Sequence, residues 1–464
     1  MNNTSKDYHR TSFWLETCGD DLTPRPRLDG SIEVDVAILG AGYSGLWTAY
    51  YLQERQPHLR IALVEAEIAG FGASGRNGGW CTSGFSVSPS VLSERYGRDT
   101  ARAMELAMFD TVDEVGRVCV REGIDAHFRK GGLLRLARGA HQLPGNEAAY
   151  RDYLALGLES HCRLLSRGET EARVRVANTY GSLSIDDSAA IHPGRLVRGL
   201  SRVVEQRGAT IYEQTPVTLY RGGPSPALET PYGTVNASTI VLAGEAFMSH
   251  LPGVKRQITP IYSLIVLTEP LPEDVWDQIG WQGHECLHSN RYVVDYLLRT
   301  ADDRIVFGSR GAPYRWGSRI SEAQDRDART HEMIRDLARE WFPVLRDARF
   351  THAWGSAVGM PRDWMPTVTL DRRTNVATAR GYTGQGVATT NLAGRLLADQ
   401  ITGTDSALLQ LPLVGHHSPN WEPEPLRWLS VRTMQWAFGR IDRKAERTGT
   451  PPTGKSLVER LGRH

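Results

Sequence analysis

Three glycines, Gly40, Gly42 and Gly45, have the spacing of a backbone turn that binds phosphate. They follow the apolar stretch VDVAIL and open the segment GLWTAYYLQERQ, which predicts a strand, a glycine turn and a helix in that order. Without side chains the turn lets the backbone reach a pyrophosphate, and the positive end of the helix stabilises its charge. Glu65 ends the next apolar stretch, twenty positions after Gly45 (65 minus 45), where a carboxylate accepts hydrogen bonds from a ribose. This pattern predicts a dinucleotide site.

A second glycine-rich segment, GFGASGRNGGW, runs from Gly70 to Trp80, shortly after the ribose carboxylate. Ordering so much glycine costs conformational entropy, so we expect the backbone to lie against something large. One interpretation is an extended cofactor whose linker and flat ring touch bare backbone, and the other is a flexible surface loop. The glycine turn alone does not separate NAD from FAD, whereas this segment and the later run GYTGQGV favour FAD.

Four aromatic residues, Trp80, Tyr262, Trp354 and Tyr382, are candidates for a wall that attracts the ammonium form of an amine by cation–π contact. Ordinary packing in the core is the alternative for each of them. No acid–base catalyst is identified from the sequence, which is compatible with a substrate amine that binds without a charge.

Two arginines, Arg299 and Arg310, are candidates for a bidentate clamp on a carboxylate, with a structural role as the alternative. The single histidines His284, His288 and His352 are interpreted as structural. No Cys/His cluster has metal-ligand spacing, and the pair at positions 416 and 417 lies in a predicted loop, so no metal site is predicted.

Alternating helices and strands must position these residues. Residues 1–30 are predicted to form an irregular arm. Periodicity then predicts helices over 99–122, 145–157, 194–208 and 320–341 and in the tail after residue 419, and strands over 126–137, 209–220 and 258–310. The uncharged run from Val36 to Leu52 is shorter than the roughly 20 residues of a membrane span and holds three glycines, so a membrane helix is not favoured.

Composition excludes some classes of function. The chain has 464 residues with 54 basic and 53 acidic side chains, and this balance gives no reason to expect nucleic-acid binding. The length predicts more than one core. Five scattered cysteines without a CxxC pair indicate reduced thiols, so we expect a cytoplasmic protein.

The order of these motifs resembles the D-amino-acid-oxidase-like (DAO) family of FAD-dependent oxidoreductases, most of all its γ-glutamylputrescine-oxidase-like branch. The stretches that carry the resemblance are GAGYSGLWTAYYL, Glu65, GFGASGRNGGW, HPGRLVRGL, TIVLAGEAF, the TEPL after ITPIYSLIVL, and GYTGQGVATTNLAGRLLADQITG. The resemblance implies an α/β fold: a Rossmann-type FAD-binding domain of the glutathione-reductase-like kind, with a second, substrate domain on a mostly antiparallel sheet.

The resemblance also implies roles for individual positions. The turn 40–45 holds the pyrophosphate, Glu65 the adenosine ribose, residues 72–80 the ribityl chain and isoalloxazine, Val217 the adenine through its backbone, and residues 384–387 the pyrimidine side of the flavin. The full set assigned to FAD is Gly40, Gly42, Tyr43, Ser44, Gly45, Glu65, Ala66, Gly72, Ala73, Ser74, Arg76, Asn77, Gly78, Gly79, Trp80, Val217, Ala243, Gly244, Gly355, Gly384, Gln385, Gly386 and Val387.

The predicted domains are discontinuous. Residues 1–30 form the arm and 406–464 a C-terminal tail with a helix. The FAD-binding domain takes 31–124, 186–255 and 351–405, and the substrate domain takes 125–185 and 256–350. The tail helix has an apolar side and six basic residues, a pattern that favours packing on its own protein or a partner subunit over association with a membrane.

Departures from the family pattern refine the expected chemistry. Neither the cysteine nor the histidine by which some relatives attach flavin is present, so non-covalent FAD is expected. The lysine that related oxidases use with oxygen is missing from IVFG. We expect oxidation of a C–N bond of an amine or amino-acid-like substrate, with hydride transfer to flavin N5 and O2 as acceptor. The alternatives are a non-oxygen acceptor, a biosynthetic tailoring step, a 2-hydroxy acid substrate, and an NAD-dependent dehydrogenase.

Overall fold

The computed structural model describes residues 6–454 together with 456, 458 and 459. Its strands in chain order are β1 (Ile32–Leu39), β2 (Ile61–Val64), β3 (Trp80–Thr82), β4 (Leu133–Arg138), β5 (Cys162–Ser166), β6 (Thr179–Ile185), β7 (Ser188–Ala190), β8 (Thr210–Tyr212), β9 (Leu219–Arg221), β10 (Ala227–Thr230), β11 (Gly233–Leu242), β12 (Thr259–Thr268), β13 (Cys286–Ser289), β14 (Asp295–Arg299), β15 (Ile305–Arg310), β16 (Phe350–Met360), β17 (Thr367–Asp371) and β18 (Val376–Arg380). Its α-helices are α1 (Phe13–Glu16), α2 (Tyr43–Arg55), α3 (Pro89–Tyr96), α4 (Arg98–Arg121), α5 (Leu143–Leu156), α6 (Arg167–Glu171), α7 (Pro193–Gln206), α8 (Glu273–Ile279), α9 (Glu322–Asp325), α10 (Ala328–Trp341), α11 (Gly386–Thr402) and α12 (Leu426–Thr448).

The first sheet has the strand order β17-β18-β11-β1-β2-β8, and β10 and β9 extend it beside β11. Strand β1 lies parallel to both β2 and β11. The predicted β-α-β start is confirmed, because the apolar strands β1 and β2 are joined by α2, which packs its buried face in the same core. The carboxyl ends of these parallel strands meet at one edge, where ligands bind in such sheets.

The second sheet has the order β16-β12-β15-β14-β13-β4-β6-β5 and is antiparallel except where β13 runs parallel to β4. The predicted fold class, a Rossmann-type domain with a mostly antiparallel second sheet, is therefore confirmed. Strand β16 pairs with β12 along its length, so it belongs to the second sheet by hydrogen bonding. The domain limits stay predictions.

Two further local predictions differ from the structure. The helix expected over 320–341 is two helices, α9 and α10, because the side chain of Asp327 accepts the N–H of Thr330 and begins a new helix. The strands expected as a pair over 209–220 do not pair with each other, since β8 joins β2 and β9 joins β10. The helices predicted over 99–122 and 194–208 are confirmed as α4 and α7.

The N-terminal arm is held by a buried carboxylate. Glu213 accepts hydrogen bonds from the backbone N–H of Arg25 at 2.7 Å and of Ala69 at 2.7 Å, and from Nη1 of Arg25 at 2.9 Å. Arg198 of α7 lies 3.6 Å from the same carboxylate. One side chain with no solvent exposure thus joins the arm, the glycine-rich segment and α7.

Replacing Glu213 by Gln is expected to lower the free energy of unfolding by about 1.5–3 kcal/mol, because Arg25 and Arg198 lose a buried charged acceptor, although Arg25 keeps Glu205 and Arg198 keeps Asp20 as partners. The measurement is urea denaturation of the FAD-loaded protein, followed by far-UV circular dichroism. Glu205→Gln is the matched control: it also removes a carboxylate from Arg25, but Glu205 is 33% exposed and should cost less than about 1 kcal/mol. Equal losses in the two variants would contradict the role given to Glu213.

Candidate cofactor and substrate site

The first glycine turn has the geometry of a phosphate-binding turn. Gly40 has a φ of 99°, and a Cβ at Gly45 would lie 2.0 Å from the Gly40 carbonyl oxygen, so neither position accepts a side chain. Gly42 begins α2 without a side-chain cap. The first N–H groups of a helix have no partner within it. That of Tyr43 donates to Ser74 Oγ at 2.9 Å, so the N–H groups of Ser44 and Gly45 are the ones offered to an anion.

Glu65 stands at the end of β2, beside that turn. Its Oε2 accepts the N–H of Ala41 at 2.9 Å, and its Oε1 accepts the N–H of Glu67 at 3.1 Å. Burial raises the pKa of the Glu65 carboxyl to about 7. A carboxylate has about four acceptor sites, so the group retains capacity for ribose hydroxyls. Thr215 donates its N–H to the Glu65 carbonyl, which brings the predicted adenine contact Val217 into the same region.

The glycine-rich loop is fixed through its carbonyl groups. The carbonyls of Gly75, Arg76 and Asn77 accept hydrogen bonds from Ser12 Oγ at 2.7 Å, Trp354 Nε1 at 3.0 Å and Trp14 Nε1 at 2.8 Å, respectively. These bonds draw on the N-terminal arm and on the second sheet. The loop is therefore an ordered element and not the flexible surface segment of the alternative interpretation.

Some of the glycines in this loop are required by close contacts within the protein. A Cβ at Gly75 would lie 2.4 Å from the Gly70 carbonyl oxygen, and one at Gly78 would lie 2.3 Å from the ring of Tyr296. A Cβ at Gly79 would lie 2.5 Å from Leu298. The sequence-based explanation, which gave a cofactor as the reason for the bare backbone, is thus incomplete.

Arg76, assigned by resemblance to FAD, has protein partners. Its Nη1 lies 2.9 Å from Asp325 Oδ2 and donates to the Gly355 carbonyl at 3.4 Å. The guanidinium also lies 4.7 Å from the centre of the Phe71 ring. The structure therefore places Arg76 as a buried link between the glycine-rich loop and the second sheet.

The third glycine motif, residues 381–387, is bonded directly to the first. Glu245 Oε1 accepts the N–H groups of Gly381 at 2.8 Å and Tyr382 at 3.2 Å. The Tyr382 hydroxyl lies 2.8 Å from Ser44 Oγ in the first motif. Glu245 directly follows the predicted cofactor positions Ala243 and Gly244, so one buried carboxylate fixes the turn that precedes α11.

The start of α11 is open on the side away from the core. Its cap residue Gln385 makes no side-chain cap bond, and Gly384 has a φ of 99°. A Cβ at Gly386 would meet no described protein atom closer than Tyr382 at 3.6 Å. Glycine at 386 is therefore not required by the protein's own packing, in contrast to Gly45.

A cavity of about 860 Å³ adjoins the second and third motifs. Trp80 and Thr82 line it from β3, Gln385 from the third motif and Arg310 from β15. Arg310 Nη2 donates to the Thr383 carbonyl at 2.6 Å, which holds the third turn against the second sheet. The cavity lies where a ring bound between these motifs would face it.

Helix α12 covers this cavity. Val431, Met434 and Phe438 line it, and Phe438 stacks on Tyr292 with ring centres 5.3 Å apart. Buried Asp442 accepts the backbone N–H groups at 292 and 293 at 3.0 and 2.8 Å. The prediction that the tail helix packs on its own protein agrees with these contacts. Among the described residues, no helix is long and apolar enough to cross a membrane.

Of the six candidates for contact with a substrate, Trp80 and Arg310 reach this cavity. Tyr262 turns into the core of the second sheet and bonds with Ser321, while its neighbour Ile261 faces the cavity. Alternate residues of a strand face opposite sides of the sheet. The sequence did not reveal which residues of β12 face the core and which face the cavity.

The remaining three candidates are also placed elsewhere. Trp354 is buried with its N–H on the Arg76 carbonyl, and Tyr382 is buried against Ser44. Arg299 pairs with Asp303 at 2.6 Å and lines a separate cavity of about 540 Å³. Of the four residues of the predicted aromatic wall, Trp80 is the one that lines the large cavity.

The histidines differ in their surroundings. His288 lines the large cavity with its ring 5.9 Å from that of Trp80, and burial, followed by the charge of Arg135, lowers its pKa to about 3. His284 lines the smaller cavity, and burial lowers its pKa to about 4. His352 lies 3.0 Å from Glu16. Within the described part of the chain, no group of His, Cys, Asp or Glu could hold a metal ion.

Sequence reasoning missed three charged residues near the site. Glu245 was overlooked although it stands within the quoted stretch TIVLAGEAF. Glu105 and Arg135 line the large cavity from α4 and β4. A lone acid on the apolar face of α4, between Met104 and Met108, was the pattern that pointed to Glu105.

The residues present fit FAD. The helix start at Gly42 suits a pyrophosphate, Glu65 suits a ribose, and the bare Gly386 leaves room for a flat ring. The five cysteines are buried free thiols.

Comparison with known proteins agrees with this site. The family model described as FAD-dependent oxidoreductase (DAO) matches residues 35–400. The chain is 29% identical to γ-glutamylputrescine oxidoreductase of Escherichia coli K12 over 396 residues, which cover 85% of this chain and 89% of the relative. It is 30% identical to the probable oxidoreductase OrdL of Rhizobium meliloti 1021 over 415 residues, with the same two coverages, 85% and 89%.

The fold also has counterparts among solved structures. Glycine oxidase from Geobacillus kaustophilus superposes with a TM-score of 0.67 at 22% identity, over 82% of this chain and 98% of that one. The predicted family and cofactor are confirmed. The chain belongs to the DAO family of FAD-dependent oxidoreductases, and it is an FAD-binding enzyme of the amine and amino acid oxidase type.

Proposed function

We propose that the protein oxidises a C–N bond of an amine bound in the large cavity beside Trp80. The glycine motifs would hold FAD, which would supply two-electron oxidation: the carbon next to the uncharged amine nitrogen would lose a hydride to flavin N5, water would hydrolyse the resulting imine, and O2 would take up the two electrons with two protons to give H2O2. The observation that carries the proposal is the meeting of β3, Gln385 and Arg310 at one cavity wall. The name of the E. coli relative, which refers to an amine, supports the same substrate type.

The charges at this wall favour an uncharged amine. Arg310 is buried, and burial lowers the pKa of its guanidinium, but its charge still disfavours a second cation nearby. His288 is neutral at physiological pH because its pKa is about 3. An amine beside these groups loses its proton more easily than in water, and only the uncharged amine can release hydride. The chain thereby prepares the substrate through its surroundings, without a dedicated base.

The N-terminus of α11 provides partial positive charge in a fixed position. The free N–H groups of its first turn carry partial positive charge toward the opening beside Gly386. Charge of this kind stabilises negative charge that develops on a reacting group without reorganisation at the moment of reaction. Glu245 and Arg310 hold the turn in place through backbone groups, so the orientation is fixed before substrate binds.

An acceptor other than O2 is the second candidate. Strand β15 begins with IVFG, so it lacks the lysine that related oxidases use with oxygen. Val306 and Phe307 of this strand are fully buried. The absence of that lysine is the feature that favours an acceptor other than O2.

Anaerobic mixing with a panel of amines, N-methyl amino acids, polyamine conjugates and hydroxy acids is expected to bleach the flavin absorption with compounds that contain an amine. Reoxidation in air should then yield one H2O2 for each amine oxidised. If an artificial acceptor reoxidises the flavin and O2 does not, the dehydrogenase alternative holds. Bleaching by hydroxy acids and by no amine would contradict the proposed substrate type.

The cofactor is expected to be released on acid precipitation, with yellow FAD in the supernatant. Cys81 is the thiol next to the glycine-rich loop, but its side chain is buried in the core while Trp80 and Thr82 on either side face the cavity. Burial raises the pKa of this thiol well above its usual value, so it is a poor nucleophile. Cys81→Ser should release the same amount of FAD as wild type, and colour retained in the wild-type pellet would contradict non-covalent binding.

Gly386→Val tests whether the third glycine motif faces the flavin. The new side chain meets no protein atom closely, so the apoprotein should fold, as judged by far-UV circular dichroism and its melting temperature. FAD binding should nevertheless be lost, or be kept with a lower reduction potential, because the backbone is pushed away from the ring. Gly439→Val, in α12 and outside the motif, is the control and should bind FAD normally. A folded Gly386→Val protein with unchanged FAD affinity and potential would show that this turn does not face the flavin.

A further inference from the structure

The outer face of α12, the side turned away from the large cavity, carries exposed apolar side chains. Leu426, Leu429 and Trp436 are 57%, 50% and 59% exposed, and their spacing places them on one side of the helix. Beside the first turn of α12, Trp316 is 54% exposed, and its ring centre lies 6.4 Å from that of Trp428. Large apolar side chains are thus gathered on and beside one helix at the protein surface.

The same face of α12 becomes basic toward the C-terminus of the helix. Exposed residues follow one another along it at intervals of three or four: Leu426, Leu429, Thr433, Trp436, Arg440, Arg443, Lys444 and Arg447. In the part of the chain that the structure describes, none of the last four forms an ion pair. The guanidinium of Arg440 lies 5.3 Å from the centre of the Trp436 ring, where the apolar and basic halves meet.

The acidic residues of this helix segment do not compensate the basic half. Asp442 is buried and accepts the backbone N–H groups at 292 and 293, and Glu446 lies 3.3 Å from Arg291. Both carboxylates are therefore engaged on the side of α12 that faces the protein. The whole chain is nearly neutral, with 54 basic and 53 acidic residues, so four outward charges on one helix end are a local concentration.

The inner face of α12 holds the helix in place independently of the outer face. Val431, Ala437 and Ala445 are buried there, and Gln435 donates to the Ala312 carbonyl at 3.2 Å. The sequence-based prediction that this helix packs on its own protein accounts for the inner face. The outer face can therefore take up a partner while the helix stays on the enzyme.

We propose that the outer face of α12 docks on the surface of a bilayer that contains anionic lipid. Leu426, Leu429 and Trp436 enter the boundary between headgroups and acyl chains. The four basic residues of the C-terminal half contact the lipid phosphates. This inference does not depend on the substrate or on the electron acceptor of the enzyme.

The chemistry of the face fits a bilayer surface on both counts. A helix that lies in the plane of a membrane buries apolar side chains at the headgroup boundary and gains further attraction from basic residues near anionic lipid. Tryptophan is enriched at that boundary, because its ring is apolar and its N–H is polar. From residue 426 to residue 447 the face extends over about 30 Å, at roughly 1.5 Å per residue, so it makes contact along its length.

A second copy of the chain fits this face less well. Two copies that met through parallel helices would place the basic half on the basic half, where like charges repel. Antiparallel helices would place the basic half on the apolar half, which removes charges from water without giving them partners. A nucleic acid would pair with the basic half and leave the apolar half without a partner.

The test is co-sedimentation of the full-length, FAD-loaded protein with vesicles. One set contains phosphatidylcholine alone, and the other contains phosphatidylcholine and phosphatidylglycerol in equal parts. The partition coefficient for the mixed vesicles is expected to exceed that for phosphatidylcholine by on the order of 100-fold at low ionic strength, because four basic residues act together near an anionic surface. Added salt should lower it, since salt screens these charges.

Two sets of variants separate the halves of the face. Replacing all four basic residues by Gln should remove the preference for the mixed vesicles. Leu429→Gln combined with Trp436→Gln should weaken binding to the mixed vesicles by on the order of 10-fold or more, whereas Trp436→Phe, which keeps an apolar ring, should retain it. FAD content, melting temperature and flavin reduction should be unchanged in every variant, because the substituted side chains are exposed and lie outside the cofactor site.

Matched controls carry the same changes elsewhere on the surface. One control replaces four exposed arginines by Gln: Arg95, Arg151, Arg163 and Arg346. The other combines Leu154→Gln with Leu164→Gln, at positions that are 42% and 38% exposed. Both should bind the mixed vesicles as wild type does. An equal loss of binding in the controls would show general adsorption of the protein and would overturn the proposal.

Three other results would also overturn it. The first is equal partition of wild type into both kinds of vesicle. The second is binding to poly-glutamate as tight as to the mixed vesicles, which would indicate an acidic protein as the partner. The third is a dimer of the wild-type protein in sedimentation velocity that Trp436→Gln abolishes, since a second copy would then cover the face.

Discussion

The structure depends on the fixed position of the loop that runs from Gly70 to Gly79. Three consecutive carbonyls of this loop are held by side chains from the N-terminal arm and from β16, and Arg76 adds a buried ion pair with Asp325. Because the partners come from chain segments on both sides of the loop, neither sheet can shift without breaking these bonds. The loop thus connects the two sheets, and it is also a wall of the candidate cofactor site.

The third glycine motif is also held by hydrogen bonds from distant segments of the chain. Glu245, from the end of β11, and Arg310, from β15, each bond to its backbone, and Tyr382 reaches Ser44 in the first motif. Segments more than 300 residues apart in the chain (382 minus 44) are therefore in direct contact. The protein holds this site in its final arrangement before a ligand binds. Binding of cofactor or substrate therefore does not carry the entropy cost of ordering this part of the chain.

Local patterns predicted the parts of the site that depend on local geometry. The spacing of Gly40, Gly42 and Gly45 and the position of Glu65 follow from one strand-turn-helix unit, so the sequence alone was sufficient. The side of a strand to which a side chain points was harder to predict, because it depends on what packs on each face of the sheet. Tyr262 points to the side of β12 on which α9 and α10 pack, and nothing near position 262 in the sequence reveals that packing.

Strand β16 likewise depends on a partner that is distant in the sequence. Trp354, in the stretch HAWGSAVGM, donates its indole N–H to the glycine-rich loop. The backbone of the same stretch pairs with β12, so the segment belongs to the second sheet although one of its side chains holds the loop. Glu105 was overlooked because a single acid in the apolar stripe of a helix is easily taken for the edge of its polar face. Its burial becomes apparent only when α5 and the second sheet enclose it.

The residues proposed to hold FAD and those that line the far end of the cavity come from different parts of the chain. The proposed FAD residues lie in the three glycine motifs, within the stretch 35–400 that matches the family model. Glu105, Arg135 and the inner face of α12 lie outside those motifs, on elements whose main constraint is to enclose a space. Such elements can change charge and shape without disturbing the flavin site, so relatives that share the motifs can differ in substrate. Selectivity in this enzyme is therefore to be sought where α4, α5, β4 and α12 meet, and not in the loops by which the family is recognised.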